Sequence, residues 1–288
     1  MKEKIHIVGA GLAGCIIASR YGDSILYEAD KIGGLCRDND NYQDFVHIVH
    51  TDNPEVYNFF RKNTSIRDHR VKFLSYVDGQ YLPWYPRFIT QEVIEKQIKG
   101  YSEKMWKGVL PPEAEARIRT SKDEYFFDEK YEFIPNFLEL FSNLIGDTYV
   151  RFQKIKDGDI KEGKIVLTGP IDEYFGYCYG KLPYRGIKST HIETEIRLQA
   201  DCINIPDLTI PFTRLVDYSR LGFQGGFVGV ETPAAEDHYP IRDRESERTY
   251  ERYRKLAESK GIILAGRLAT FHYMDVDEVV EQCLKITI

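Results

Sequence analysis

Gly9-Ala10-Gly11-Leu12-Ala13-Gly14 follows directly on the run Lys4-Ile5-His6-Ile7-Val8 and opens an apolar stretch from Leu12 to Tyr21. A short buried strand, a glycine turn and a helix in that order restrict the fold more than anything else in the chain. Gly9 permits the tight turn, Gly11 lets the backbone approach a pyrophosphate, and Gly14 allows the helix to pack closely on the strand. The helix N-terminus adds free N–H groups and a partial positive charge suited to phosphates. A second strand is predicted over Ser24 to Glu28, and its terminal carboxylate is placed to accept ribose hydroxyls. The unit reads as the start of a Rossmann-like α/β domain that binds a dinucleotide.

The rest of the chain is read from its punctuation. Asp78-Gly79 between β-rich runs predicts a hairpin over 70–84. Thr90 is a candidate N-cap for a helix over 91–106, and Gly146 closes a short amphipathic helix over 137–145. Short β-like runs fill about 149–232, followed by a charged helix at 244–259, a strand at 262–266 and a terminal helix at 275–285. Strands and helices alternate only at the two ends. The simplest expectation is one nucleotide-binding domain completed by both ends, with a β-rich substrate domain inserted.

Composition removes several function classes. A formal net charge of −6 gives no support to a nucleic-acid or anionic-membrane partner. Five scattered cysteines without a CxxC pair argue against a disulfide framework or zinc site. No signal peptide and no membrane-length apolar run is visible, so a cytoplasmic location is expected. The 20 Tyr and 16 Phe suit either a cleft for planar ligands or an aromatic core.

Later segments carry a resemblance. Thr168-Gly169-Pro170-Ile171-Asp172-Glu173-Tyr174-Phe175, with Gly180-Lys181-Leu182 and Tyr184-Arg185, resembles a signature stretch of the UDP-galactopyranose mutases. His47-Ile48-Val49-His50-Thr51, Gly100-Tyr101 with Trp106, Pro211-Phe212-Thr213-Arg214, Tyr239-Pro240 and Gly266-Arg267-Leu268-Ala269 resemble other family segments in the same order. The Gly33-Gly34 pair after Glu28 is similar to FAD rather than NAD proteins.

The resemblance implies an FAD enzyme, active with reduced flavin, that interconverts the pyranose and furanose forms of UDP-galactose. N5 of the flavin would attack the anomeric carbon and displace UDP, with no net redox change. It implies FAD contacts from Gly9, Gly11, Leu12, Ala13, Gly14, Glu28, Gly34, His47, Arg267 and Asp275. Arg119 and Arg214 become the pyrophosphate grip, and His47 joins them as a catalytic candidate through backbone placement beside the flavin. Tyr101, Trp106, Tyr131, Tyr239 and Tyr273 become substrate contacts. No metal is expected; His47 and His50 lack the further ligands of a zinc motif. The implied organisation is an FAD-binding N-terminal part at 1–69, then a hairpin and reduced helical subdomain at 70–146. Mixed β-sheet and FAD-domain segments occupy 147–232, and the C-terminal part of the FAD domain 233–288.

The sequence departs from the family in one large way. Leu82-Pro83-Trp84 to Gly100-Tyr101 leaves room for little more than one helix where the family has a helical domain. The usual dimer is therefore in doubt, and a homodimer by a different surface is the expectation. Met274 stands where the family commonly has an aromatic residue, and Phe271 replaces a usual tyrosine. NADPH is a candidate reductant, entering the substrate cleft because no second fingerprint is visible. Two other readings stay open: a non-catalytic nucleotide-sugar or FAD-binding protein, and an amine-oxidase-like flavoprotein.

Overall fold

A computed structural model describes residues 3–84, 88–106, 115 and 127–288. The N-terminal unit forms as its pattern dictates. Strand β1 (Ile5–Val8) leads through the glycine turn into helix α1 (Leu12–Arg20), and β2 (Ser24–Glu28) returns beside β1. Helix α1 is buried from Leu12 to Ala18, so its packing face is nearly its whole circumference. That demands small residues, and Gly14 shows why: a Cβ there would lie 1.9 Å from the Gly9 carbonyl oxygen.

Only these two strands of the nucleotide sheet come from the N-terminal unit. β8 (Tyr149–Phe152) and β9 (Lys164–Leu167) come from the middle of the chain, and β14 (Ile263–Leu264) from near its end. The five form a parallel sheet in the order β14-β9-β1-β2-β8. The nucleotide sheet thus draws on the β-rich middle as well as the two ends. The helix Val276–Lys285 packs on α1 and completes this layer.

A second sheet has six members: β5 (Phe73–Val77), β6 (Gln80–Pro83), β10 (Tyr184–Glu193), β11 (Cys202–Asn204), β12 (Arg214–Asp217) and β13 (Phe227–Pro240). Their order is β10-β13-β12-β11-β5-β6. The β5–β6 hairpin turns on Asp78 and Gly79, both with positive φ (51° and 80°), as a two-residue turn of this hand requires. The strands β3 (Val49–Thr51), β4 (Ile66–Asp68) and β7 (Tyr131–Pro135) form a small third sheet with β7 at its centre.

Between the hairpin and β7, the described residues contain one continuous helical run over 91–106, α2. Thr90 caps it, accepting from the Val93 N–H. Its middle, Ile94–Lys99, is π-helical, which inserts a residue into the turn and re-aims the stretch from Gly100 to Trp106. Gly100 is required by contact rather than conformation: a Cβ would lie 2.2 Å from the Pro206 carbonyl oxygen. Lys104 locks the same approach, donating to the carbonyls of Ile205 (2.7 Å) and Phe212 (3.0 Å). This helical element therefore sits directly on the six-stranded sheet. Among the described residues no helix is long and apolar enough to cross a membrane.

Candidate active site

One cavity of about 770 Å³ joins the two large sheets. At one end it is lined by Gly9, Gly11, Leu12, Ala13, Glu28 and Gly34, so the N-terminus of α1 opens into it. A Cβ on Gly11 would meet nothing within 4 Å, whereas one on Gly9 would lie 2.5 Å from the Thr168 hydroxyl. The empty side of Gly11 is the cavity side, which is what close approach by a pyrophosphate needs. Glu28 shapes this loop, accepting from the Ala10 N–H at 2.8 Å and the Asp30 N–H at 2.9 Å. Gly14 lies outside the lining and serves the helix–strand packing instead.

At mid-length the walls are His47, Ile48, His50, Arg267, Tyr273, Met274 and Asp275. Burial holds His47 down at about 4, so its imidazole is neutral. Its Nδ1 lies 2.7 Å from the Phe45 carbonyl and must donate there, which leaves Nε2 without a proton. His50 is the opposite case. Burial disfavours its charge, but hydrogen bonds to Asp275 and Glu129 outweigh that and raise it to about 9. It lies between these carboxylates (3.5 and 3.6 Å) and stacks on Phe127 at 3.7 Å. His50, Asp275 and Asp277 form the trio among the described residues that could hold a metal ion. With His50 protonated, neither of its ring nitrogens offers a lone pair to a metal. Arg267 bonds the Met274 carbonyl (3.2 Å) and lies 4.8 Å from the Tyr239 ring centre.

At the far end, α2 and the six-stranded sheet face each other. Trp106 meets Tyr239 and Tyr273 edge-on at 5.7 and 5.8 Å, and those two tyrosines stack at 5.7 Å. Tyr101 reaches the same end from α2, and its hydroxyl accepts from Arg214 Nη2 at 2.7 Å. Arg214 Nε donates to Asn204 Oδ1 at 3.0 Å, and Nη1 lies 3.4 Å from Glu231 Oε2. Burial opposes the guanidinium's charge, but Tyr101 and Glu231 more than offset it and raise its pKa.

The cavity therefore gathers every described candidate except Gly14 and Tyr131. Tyr131 on β7 stacks at 4.0 Å on Tyr57, which belongs to the helix Pro54–Asn63. Arg119 lies outside the described residues. Sequence reasoning missed Asn204 and Glu231. Neither stands in a motif that signals chemistry, and only strand pairing brings them to Arg214.

A family model described as "UDP-galactopyranose mutase" matches residues 96–273, which is more than half of the chain. The chain belongs to the UDP-galactopyranose mutase family. A curated relative from Klebsiella pneumoniae, "Probable UDP-galactopyranose mutase", is 25% identical over 359 residues, covering 98% of this chain and 93% of that protein. An Escherichia coli "dTDP-fucopyranose mutase" is 23% identical over 366 residues, covering 98% and 97%. Both alignments are longer than this 288-residue chain, so these family members carry segments that it lacks. In fold, the chain resembles a crystal structure of reduced UDP-galactopyranose mutase. The TM-score is 0.77 at 14% identity, over 99% of this chain and 93% of the other.

Proposed function

We propose that the chain is a UDP-galactopyranose mutase acting with reduced FAD, which interconverts UDP-galactopyranose and UDP-galactofuranose. The observation that carries this reading is the continuity of the cavity. A dinucleotide cradle at Gly9–Ala13 and an arginine framed by aromatic rings at Arg214 share one space.

The cradle fits FAD on its own geometry, because the open face of Gly11 leaves room for the pyrophosphate at the N-terminus of α1. Glu28, Gly34, Arg267 and Asp275 continue the lining toward the middle of the cavity. When bound, reduced flavin would supply N5 as the nucleophile toward the anomeric carbon. The protein's own work is to bind, orient and exclude water. Arg214 has five N–H donors, of which three face Asn204, Tyr101 and Glu231. Among the described residues one N–H on each Nη has no partner, and these two are free for the oxygens of a diphosphate. Such charge-assisted bonds contribute about 1.5–3 kcal/mol each. Their value grows where charge builds on departing UDP, because the site is buried. Arg119 is proposed as the second grip. Trp106, Tyr239 and Tyr273 form an apolar wall that holds the sugar face and keeps water out. His47, neutral at working pH, offers no acid and acts through its backbone position. A nicotinamide reductant would enter through the same cavity.

The test incubates UDP-galactofuranose with dithionite-reduced and with oxidised protein and resolves the products by chromatography. Conversion to UDP-galactopyranose only in the reduced state is expected. Conversion in both states removes the flavin from the mechanism, and conversion in neither removes UDP-galactose as substrate.

A further inference from the structure

Among the described residues three other than glycine have positive φ: Asp78 (51°), Tyr177 (58°) and Phe271 (45°). Asp78 is a short polar residue in a hairpin turn, where that conformation is ordinary. Tyr177 is exposed. Phe271 stands apart, a bulky residue in the left-handed region with only 1% of its surface exposed.

Phe271 ends the short helix Gly266–Ala269, and the ending is a Schellman motif. The Phe271 N–H donates to the Leu268 carbonyl at 3.4 Å, and the His272 N–H to the Arg267 carbonyl at 3.2 Å. Glycine is the usual residue at this position, because it adopts positive φ without strain. A phenylalanine persists there only where its surroundings over-determine it. Here two separate elements do so. The ring meets Tyr184 of β10 edge-on at 5.4 Å and stacks at 5.6 Å on Tyr250 of the helix Arg244–Ser259. The Tyr184 hydroxyl also donates to the Leu268 carbonyl at 3.3 Å, so one anchor holds both the ring and the helix end.

What this turn delivers lies two residues on. Phe271 packs in the core, whereas Tyr273 lines the cavity. There Tyr273 stands 5.8 Å from Trp106 and 5.7 Å from Tyr239, ring centre to ring centre. Arg267 closes the same loop: its guanidinium donates to the Met274 carbonyl at 3.2 Å, beyond the turn that its own carbonyl helps to form.

We propose that Phe271 is a positioning residue, whose anchored ring holds the left-handed turn that presents Tyr273 to Trp106 in the cavity wall. Glycine would make the same turn without strain, but would leave the loop its freedom. The buried ring removes that freedom. For its effect on turnover the inference rests on the mutase reading, in which this wall holds the sugar. A 1 Å misplacement there costs about 10²-fold in rate. The positioning itself is read without any nucleotide.

The experiment follows the Trp106 indole N–H by NMR in the protein as purified, with isotope-labelled tryptophan. The chain has two tryptophans, so Trp84→Phe assigns the resonance. Phe271→Leu keeps an apolar side chain in the core, so folded protein remains available, but it loses the ring contacts. It is expected to lower Tm, to move the Trp106 resonance, and to cost at least about tenfold in kcat with FAD still bound. Phe271→Gly, whose backbone is at ease in the turn, is expected to move the resonance as well. In a Tyr273→Ala background, Phe271→Leu is expected to lower Tm again but to move the resonance no further, since it acts through Tyr273. A lowered Tm with Trp106 at its wild-type position would overturn the proposal and leave the ring as core packing alone. So would an equal shift with and without the Tyr273 side chain, or wild-type kcat in both Phe271 variants. A wild-type protein that converts no UDP-galactose refutes the mutase reading instead, and the indole readout still decides the positioning.

Discussion

Adding one methyl group at Gly11 and at Gly14 should give opposite failures. Gly11 has φ −73° and ψ −172°, an ordinary extended conformation, and its Cβ would meet nothing within 4 Å. Gly11→Ala should therefore leave the flavin-free protein within about 0.5 kcal/mol of wild type. The methyl would instead stand where the pyrophosphate must approach the backbone. Losing one charge-assisted contact of about 1.5–3 kcal/mol weakens FAD by roughly 10- to 150-fold. At Gly14 the space is already taken, with the new Cβ 1.9 Å from the Gly9 carbonyl oxygen. Alanine gains about 1 kcal/mol in helix propensity there. Overpacking against rigid backbone costs about 3 kcal/mol or more, leaving a net loss near 2 kcal/mol. For a chain of this size that lowers Tm by about 4–8 °C. Thermal melts of flavin-free protein and FAD titration by fluorescence quenching separate the two effects. Wild-type FAD affinity in Gly11→Ala would refute the placement of the cofactor, and a wild-type melt in Gly14→Ala would refute the steric clash.

Three further outcomes are expected. His50 holds its proton to about 9, above the ordinary histidine value of 6.5. Its ion pairs are thus fully present below pH 6.5 and are lost as pH rises through about 9, an effect of up to about 3 kcal/mol. NMR titration of the flavin-free protein should place its midpoint near 9, and a midpoint near 6.5 would rule out the Glu129–Asp275 clamp. Arg214→Lys should lower kcat/KM by roughly 10- to 150-fold, for a loss of about 1.5–3 kcal/mol of hydrogen bonding, with FAD still bound; an unchanged value would take Arg214 out of the grip. Gly100→Ala forces α2 away from Pro206, so Tyr101 shifts off Arg214. KM should rise while the FAD spectrum is unaltered, and an unchanged KM would free Tyr101 of any substrate role.

Much of this molecule was legible because its signals are local. The first strand, turn and helix are spelled by the glycines, the hairpin by Asp78-Gly79, and the helix at Arg244–Ser259 by Asp243, whose side chain accepts from the Ser246 N–H at 2.7 Å. The helix over 91–106 was legible from its Thr90 cap and its run of helix formers. The π-helical turn at Ile94–Lys99 was not, since nothing in IEKQIK distinguishes it from α-helix. It arises where the helix must fit the sheet at Gly100 and Lys104.

The least legible feature is the one on which the site's geometry depends. Ser75, Asn204, Arg214, Glu231 and Ser189 are scattered through more than half the chain and obey no spacing rule. They form a line only because β11 pairs in parallel with β5, antiparallel with β12, and β12 antiparallel with β13. A shift of one residue in any pairing would turn that strand's member of the row to the other face of the sheet. Arg214 could be chosen from its motif, but its partners could not, because they are fixed by register and register is a property of the assembled sheet. The motif marks Arg214, and the strand pairing decides which side chains stand beside it.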